Sequence, residues 1–263
     1  MKLEEAHVVE QRAIQGGYRL LTLEAPGIAP HIRPGQFVHL RVPRLEDAVL
    51  RRPFSVFRTD GTALELLYKA VGRGTLAMQA LAAGDRVSLI GPLGNGYPAP
   101  APGALPVLVA GGYGMAALYL LARSSPAKGQ AFVGGAGAPD ILCVPAFEQL
   151  GWTVHVATED GSQGLKGLVT DALDRWLARA GAQRPLEFFA CGPNGMLQAV
   201  GARAQQGGWK AWLSMDRHMG CGVGACLTCV QKVRLPGGDW DRVRVCREGP
   251  VFECRDIIWE EME

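Results

Sequence analysis

Four cysteines near the C-terminus have the spacing of a metal-cluster site. Cys221, Cys226 and Cys229 share the glycine-rich loop MGCGVGACLTCV, and Cys246 follows, which gives the pattern C-x4-C-x2-C-x16-C. Three thiolates on one loop can surround a small inorganic core, and this spacing with a distal fourth cysteine is typical of plant-type [2Fe–2S] proteins. Because such a cluster carries one electron at a time, the pattern predicts a place in an electron-transfer path.

Other uses of these cysteines have weaker support. Zinc sites usually combine two short cysteine or histidine arms, and a structural zinc site stays open as the alternative. Disulfide bonds need an oxidising compartment, yet the charged N-terminus MKLEEAHVVEQ has no apolar signal core. A Rieske centre needs two histidine ligands, and His218 alone lies close in sequence. We expect Cys143 and Cys254 to be buried small residues without a chemical role.

Composition argues against two classes of partner. The chain has 263 residues, enough for two or three modest domains, and its 27 basic and 25 acidic residues leave no dominant basic stripe for nucleic acid. Residues 87–122 contain no charged side chain, but glycines and prolines interrupt them throughout. We therefore expect strand, loop and strand–turn–helix there instead of a membrane span. Because the thiols must stay reduced until a cluster forms, we expect a cytoplasmic protein.

The hydrophobic pattern divides the chain into three parts. Residues 1–100 show short apolar or alternating runs between glycines and prolines, which predict a small β-barrel or sandwich. Residues 101–213 alternate strands with helices, which predicts a doubly wound parallel sheet, and PAPAPG at 98–103 is the expected linker. Residues 214–263 form the cluster segment. The fold class is thus a multi-domain combination of β and α/β parts.

In the first part we predict strands at 18–23, 36–42, 55–57, 63–68 and 86–89 and a helix over 75–82. In the second part we predict strands at 105–110, 130–133, 152–157 and 186–190 and helices over 115–123, 167–180 and 196–206.

Two segments of the first part carry groups that suit a flavin dinucleotide. RRPFS at 51–55 offers arginine for phosphate and a serine hydroxyl for a ring edge. LLYKAVGRGT offers the aromatic Tyr68, the cation Lys69 and a helix opening at Gly74 and Thr75, whose free N–H groups favour phosphate. Alone, each has an ordinary explanation, namely solvated arginines and an N-cap threonine. Together they predict a flavin site.

Two glycine turns of the second part predict a nicotinamide site. VLVAGGYGMAAL and FFACGPNGML each place a turn directly after a buried strand and before a helix. Glycine lets the backbone approach a pyrophosphate, and ligands bind at the carboxyl ends of parallel strands. The predicted lining residues are Gly111, Gly112, Gly114, Cys191, Gly192 and Pro193. For Cys191 the alternative is a buried small hydrophobic residue.

Four motifs, taken in their order along the chain, resemble those of the ferredoxin-reductase superfamily: RRPFS, YKAVGRGT, VAGGYGMAAL and CGPNGM. That superfamily pairs an FAD-binding barrel with an NAD(P)-binding domain. The tail, SMDRHMGCGVGACLTCV followed by VCREGPVF, closely resembles the electron-transfer subunits of class 1B dihydroorotate dehydrogenases. The resemblance covers essentially the whole chain and implies FAD, NAD(H) and a [2Fe–2S] cluster as cofactors. It implies that FAD is held by Arg52, Pro53, Phe54, Ser55, Leu67, Tyr68, Lys69, Gly74 and Thr75, and the cluster by Cys221, Cys226, Cys229 and Cys246.

The resemblance also implies a function in pyrimidine biosynthesis. Dihydroorotate would be oxidised on the FMN of a separate catalytic subunit, and electrons would pass through the cluster and FAD of this chain to NAD+. A heterotetramer with two copies of each chain is implied, with no dihydroorotate site in this chain. The alternatives are a reductase subunit of a hydrogenase, a sulfide reductase or an electron-bifurcating pair, and a non-enzymatic redox sensor. The choice between NADH and NADPH stays open, because GGAGAPD after the second strand offers neither a clear ribose-binding acid nor a phosphate clamp.

Overall fold

The computed structural model describes residues 1–43, 45, 49–180 and 184–259. Its first sheet has seven antiparallel strands in the order β4-β3-β7-β1-β2-β6-β5. These strands are β1 (Lys2–Ala13), β2 (Tyr18–Glu24), β3 (Phe37–Leu40), β4 (Arg52–Ser55), β5 (Arg58–Asp60), β6 (Ala63–Lys69) and β7 (Arg86–Leu93). The sheet curls around an aliphatic core into a half-barrel, so that the Phe54 ring on β4 contacts the Tyr68 ring on β6 with centroids 5.9 Å apart.

Two predictions for this part were wrong in detail. The strand predicted at 55–57 lies earlier in the chain, because Arg52–Ser55 of the RRPFS motif form the strand β4. A proline is tolerated there because β4 lies at the sheet edge. The predicted helix over 75–82 begins earlier and ends earlier, as α1 (Arg73–Ala77), and continues as a 3-10 turn over Met78–Ala80.

The second sheet is parallel across β11-β10-β9-β8-β12-β13. Its strands are β8 (Leu105–Gly111), β9 (Gln130–Gly135), β10 (Thr153–Thr158), β11 (Leu165–Lys166), β12 (Leu186–Cys191) and β13 (Lys210–Ser214). The helices are α2 (Gly114–Ser124), α3 (Val144–Gln149), α4 (Val169–Ala180) and α5 (Asn194–Gln206). The predicted strands and helices of this part are confirmed within about two residues, while α3, β11 and β13 were not predicted.

The helices cover both faces of this sheet, as predicted for a doubly wound fold. Leu118 of α2 and Phe147 of α3 belong to one core cluster, and Leu173 of α4 and Leu197 of α5 belong to the other. The strand order reverses between β8 and β12. Such a reversal opens a crevice at the carboxyl ends of the two strands, which is where both glycine turns lie.

The C-terminal segment joins both sheets. It forms the antiparallel hairpin β14 (Val230–Arg234) and β15 (Trp240–Arg244), followed by β16 (Val251–Glu253). β16 pairs antiparallel with β13 and becomes the seventh strand of the second sheet. The Asn95 side chain, just after β7, donates to the carbonyls of Arg247 and Glu248 at 3.2 and 3.1 Å. Among the described helices, none has the length and apolar character needed to cross a bilayer.

Candidate cofactor cleft and cluster loop

A cleft of about 1010 Å³ lies where the half-barrel, the parallel sheet and the C-terminal segment meet. Its volume is at the upper end of the range found for cofactor sites. Most of the predicted flavin and nicotinamide residues line it: Pro53, Phe54, Ser55, Leu67, Tyr68, Lys69, Thr75, Gly111, Gly112, Gly114, Cys191, Gly192 and Pro193. The structure therefore brings two groups of motifs, predicted separately from the sequence, to one place.

An aromatic wall closes the barrel side of the cleft. The Tyr68 hydroxyl donates to the Gln11 side-chain carbonyl at 2.8 Å, and its ring meets Phe54 edge-on. Burial raises the pKa of Tyr68 to about 12, so the phenol is neutral at physiological pH. A neutral, apolar wall of this kind suits the flat rings of a dinucleotide.

The two neighbouring arginines, Arg51 and Arg52, have different hydrogen-bond partners. Arg51 donates to the Ser88 carbonyl at 2.7 Å and to the Ser88 hydroxyl at 3.0 Å, which ties it to β7. Arg52 lies beside the start of α1, where a Cβ on Gly74 would sit 3.3 Å from Arg52 Nε. Gly74 thus leaves room for the Arg52 guanidinium. The Arg52 guanidinium donates to the adjoining backbone carbonyls of Leu50 and Arg51 at 2.7 and 3.3 Å. Neither Arg52 nor Gly74 is among the residues that line the cleft, so a phosphate role for Arg52 depends on its place beside the start of α1.

Thr75 shapes the loop ahead of α1. Its hydroxyl accepts from the amides of Val71 and Gly72, both at 3.0 Å, and donates to the Gly72 carbonyl at 3.1 Å. The N-cap is Gly72, so the ordinary explanation of Thr75 as the N-cap was wrong. Its side chain holds the turn in which the predicted phosphate-binding amides lie.

The two glycine turns of the parallel sheet touch each other. A Cβ on Gly114 would lie 2.1 Å from the Cys191 carbonyl oxygen, and one on Gly111 would lie 2.8 Å from Pro193 Cδ. The sequence pattern attributes these glycines to the approach of a pyrophosphate. The structure shows that contact between the turns already requires glycine at 111 and 114.

We expect Gly114→Ala to lower the free energy of unfolding by about 3 kcal/mol, because its methyl group must displace backbone. Gly195→Ala is the matched control, since a Cβ there meets nothing within 4 Å and lies in α5. This control should be unchanged or more stable by up to about 1 kcal/mol. Chemical denaturation measures both, and equal stabilities of the two variants would contradict the packing argument.

Cys191 lines the cleft with a neutral thiol. Burial raises the pKa of Cys191 to about 12, and Tyr97 donates from its hydroxyl to the adjacent Ala190 carbonyl at 3.0 Å. The sulfur is therefore protonated at physiological pH and unreactive as a thiolate. Cys191 is half-buried and lines the cleft, and its place in a nicotinamide pocket stays a prediction.

An ion pair that the sequence did not reveal joins the two sheets at the cleft. Asp140, in the 3-10 turn after β9, accepts from Lys69 Nζ at 2.8 Å and from the Tyr18 hydroxyl at 2.9 Å. The Lys69 ammonium also lies 4.9 Å from the Tyr18 ring centroid. Lys69, predicted for flavin binding, thus also fixes the barrel to the second sheet. Asp140 is the acid of the GGAGAPD segment, but its partner lies 71 positions away, so no local pattern indicates the pair.

The Lys69 hydrogen bond lowers the pKa of Asp140 below that of an ordinary aspartate. Stability from this group is complete above an ordinary aspartate pKa of about 4 and is lost as pH falls through the lowered value. We expect Asp140→Asn to cost about 1 kcal/mol at pH 7 and to converge with the parent chain in acid. Asp60→Asn, an exposed aspartate on β5, is the control. Parallel pH–stability curves for parent and Asp140→Asn would contradict this.

The cluster loop presents amide donors to cysteine sulfur. The amides of Ala225 and Cys226 donate to Cys221 Sγ at 3.3 Å, and the amide of Cys246 donates to Cys229 Sγ at 3.5 Å. The Thr228 hydroxyl lies 3.3 Å from Cys226 Sγ, where it can donate to the thiolate. Hydrogen bonds to sulfur of this kind tune iron–sulfur clusters.

The four thiols form two adjacent pairs, Cys221 with Cys226 and Cys229 with Cys246. Hydrogen bonding to Thr228 lowers the pKa of Cys226 to about 6, and burial raises the pKa of Cys246 to about 12. Within the described ranges, no three histidine, cysteine or acidic side chains meet at metal-binding distances. Four thiols, amides aimed at sulfur and positive φ at Gly222 (+70°) and Gly224 (+82°) nevertheless fit a [2Fe–2S] cluster, in agreement with the sequence pattern.

Comparison with known proteins points to one family. Residues 216–258 match the family model described as the iron–sulfur cluster binding domain of dihydroorotate dehydrogenase B. The chain is 38% identical to the electron transfer subunit of dihydroorotate dehydrogenase B (NAD(+)) from Geobacillus thermodenitrificans, over 97% of this chain and 98% of that one. It is 35% identical to the subunit of the same name from Desulforamulus reducens, over 98% and 99%.

Solved structures share the architecture. An NADH-dependent reduced ferredoxin-NADP oxidoreductase, studied for flavin-based electron bifurcation, matches with a TM-score of 0.84 and 26% identity, over 97% of this chain and 90% of that one. The cytochrome b5 reductase domain of Ulva prolifera nitrate reductase matches with a TM-score of 0.65 and 21% identity, over 79% and 94%. The second likeness concerns the fold alone. Both agree with the predicted ferredoxin-reductase-like arrangement of a curled antiparallel sheet and a parallel sheet.

Proposed function

The chain belongs to the family of electron transfer subunits of dihydroorotate dehydrogenase B, and we propose on this basis that it relays electrons between a catalytic partner subunit and NAD+. The observation that carries the proposal is the single cleft in which flavin motifs, nicotinamide turns and the cluster segment meet. FAD, when bound, exchanges two electrons with a nicotinamide and single electrons with a [2Fe–2S] cluster. The chain itself supplies binding, orientation and exclusion of water.

The barrel side is proposed to hold FAD. Arg52 would pair with a phosphate, with Gly74 and Thr75 in the loop that receives the pyrophosphate. β4 and β6 would hold the rings with Pro53, Phe54, Ser55, Leu67, Tyr68 and Lys69. The support lies in their common position on the cleft and in the neutral wall formed by Tyr68 and Phe54.

The parallel sheet is proposed to bind NAD(H). The turns containing Gly111, Gly112 and Gly114 and Cys191, Gly192 and Pro193 line the cleft at the carboxyl ends of β8 and β12. Glu159 lines the same cleft one residue after β10. A carboxylate there disfavours the 2′-phosphate of NADP and can accept from a ribose hydroxyl. This supports NAD over NADP, in agreement with the names of the relatives.

The cluster segment is proposed to face the partner. Cys221, Cys226, Cys229 and Cys246 would ligate the [2Fe–2S] cluster, and Leu227 beside them is 72% exposed. An exposed leucine next to a redox centre suits an apolar contact with a catalytic chain. We propose that this partner carries FMN, oxidises dihydroorotate in pyrimidine biosynthesis and assembles with this chain as a heterotetramer with two copies of each.

We propose three functional parts, 1–100 for FAD, 101–213 for NAD(H) and 214–263 for the cluster. β16 shows that the third part also completes the sheet of the second. We further propose a cytoplasmic location, because reduced thiols are needed for cluster assembly. The reductase-subunit and redox-sensor alternatives are not favoured, since the relatives named above are dihydroorotate dehydrogenase B subunits over nearly their full length.

Reconstitution with the partner tests the function. The chain would be co-expressed with an FMN-containing dihydroorotate dehydrogenase catalytic chain and also purified by itself. We expect dihydroorotate-dependent reduction of NAD+ from the complex, and from this chain alone only NADH oxidation with an artificial acceptor. Dihydroorotate oxidation by this chain alone, or failure of the two chains to associate, would contradict the proposal.

A further inference from the structure

His39 reaches from the flavin barrel to the cluster loop. It lies on β3, opposite Pro53 of β4 and Ile90 of β7, and is 0% exposed. Its Nδ1 lies 3.1 Å from the carbonyl oxygen of Cys221, 182 positions further along the chain. A single buried side chain therefore connects the strand next to the RRPFS motif with the first cysteine of the cluster loop.

The loop is shaped to receive this ring. Gly222 has φ +70°, and a Cβ on it would lie 2.3 Å from His39 Nδ1. No side chain other than hydrogen fits between the loop and the imidazole at this point. Gly222 packs against the His39 ring and Cys221 is hydrogen-bonded to it, so both loop residues are held against the barrel.

The hydrogen bond fixes the state of the ring. A carbonyl oxygen accepts only, so Nδ1 must carry the proton. Nε2 is buried and has no hydrogen-bond partner in the part of the chain that the structure describes. An imidazole with its hydrogen on Nδ1 accounts for both observations.

We propose that His39 is a positioning residue that holds the first cluster ligand, Cys221, at a fixed place relative to the flavin-binding strand β4. The proposal rests on the proposed function, because it takes Cys221 as a ligand. Fixing the Cys221 carbonyl also fixes the turn whose amides, from Ala225 and Cys226, donate to Cys221 Sγ at 3.3 Å. His39 would thereby set both the flavin-to-cluster distance and the hydrogen bonding of one cluster sulfur.

The test compares three variants of the full-length, cluster-loaded chain. His39→Leu removes the donor, whereas His39→Asn keeps an N–H donor near the position of Nδ1. His155→Leu is the matched control, because His155 on β10 stacks on Phe132 and pairs with Gln130 on a strand remote from β13 and β16. The readouts are iron content, the EPR spectrum of the reduced cluster, its reduction potential and its rate of loss to a chelator.

We expect His39→Leu to shift the EPR g-values and the potential and to lose its cluster about tenfold faster, the effect of one unsatisfied part-buried acceptor. His39→Asn should recover most of the parent values, and His155→Leu should match the parent. Parent-like EPR, potential and cluster loss in His39→Leu would overturn the positioning role and leave the proposed function intact. A parent chain that binds no [2Fe–2S] cluster would overturn both.

If His39→Leu does not fold, a second pair of variants tests the proposal instead. Gly222→Ala pushes a methyl group against the same ring, while Gly237→Ala has a comparable positive φ of +107° with nothing within 4 Å of the added Cβ. We expect the EPR spectrum to change in Gly222→Ala and not in Gly237→Ala. Equal spectra for these two variants would overturn the proposal.

Discussion

Replacing Cys246 by alanine is expected to remove the [2Fe–2S] cluster while FAD stays bound. Removing one of four thiolates leaves an iron without a ligand, and the loss should exceed the roughly 10–100-fold effect of changes outside the ligand set. Iron content and the EPR signal should fall to background, and NAD+ reduction with the catalytic partner by more than about a hundredfold. NADH oxidation by a two-electron acceptor should persist, because it needs only the flavin.

Cys254→Ala is the matched control for this prediction. Cys254 is buried, and burial raises the pKa of its thiol to about 11, so it is a protonated core residue. This variant should keep its iron and its activity and lose about 1 kcal/mol of stability. Parent-level iron in Cys246→Ala would show that the ligand set is wrong.

Replacing Arg52 by alanine is expected to weaken FAD binding by about 10- to 150-fold, the range for one charge-assisted hydrogen bond to phosphate. The reason is its place beside Gly74 at the start of α1, where its present partners are the backbone carbonyls of the two preceding residues. Arg51, in contrast, is tied to Ser88 on β7. Titration of the apoprotein with FAD, followed by flavin fluorescence, measures the affinity.

Arg58→Ala is the matched arginine control on the same half-barrel. Arg58 on β5 donates from Nη2 to the Glu65 carboxylate on β6 at 2.9 Å. Its loss should cost about 1 kcal/mol of stability or less, because the side chain is 40% exposed, and should leave FAD affinity unchanged. Equal losses of affinity in the two variants would argue against a phosphate role for Arg52.

The central strands of the parallel sheet were predictable because they are buried on both faces and are nearly continuous apolar runs, such as VLVA in β8. β1 was not predicted, because Ala6 and Val8 are its only buried residues and charged side chains occupy half of the other positions. α3 was missed for another reason. It is short and follows Cys143 at φ +62°, a conformation that no sequence signal announces.

The site residues within each motif were also accessible from the sequence, since glycine turns, an arginine pair and spaced cysteines are local patterns. Contacts between motifs were not. Asp140 meets Lys69 across 71 positions and His39 meets Cys221 across 182. Such pairs exist only after distant segments have packed together. One member of each pair, Lys69 or Cys221, belongs to a local motif, whereas its partner, Asp140 or His39, has no pattern of its own. The residues that join the cofactor sites therefore had to come from the structure.

An anaerobic titration with NADH, followed by visible absorption and EPR, tests the relay most directly. We predict flavin absorption near 450 nm with iron–sulfur shoulders, bleaching on addition of NADH, and uptake of about three electrons per chain, two by FAD and one by the cluster. A rhombic EPR signal of a reduced [2Fe–2S] cluster should appear in the same titration. A protein that stays colourless after reconstitution with iron, sulfide and FAD, and that binds zinc in their place, would contradict the account.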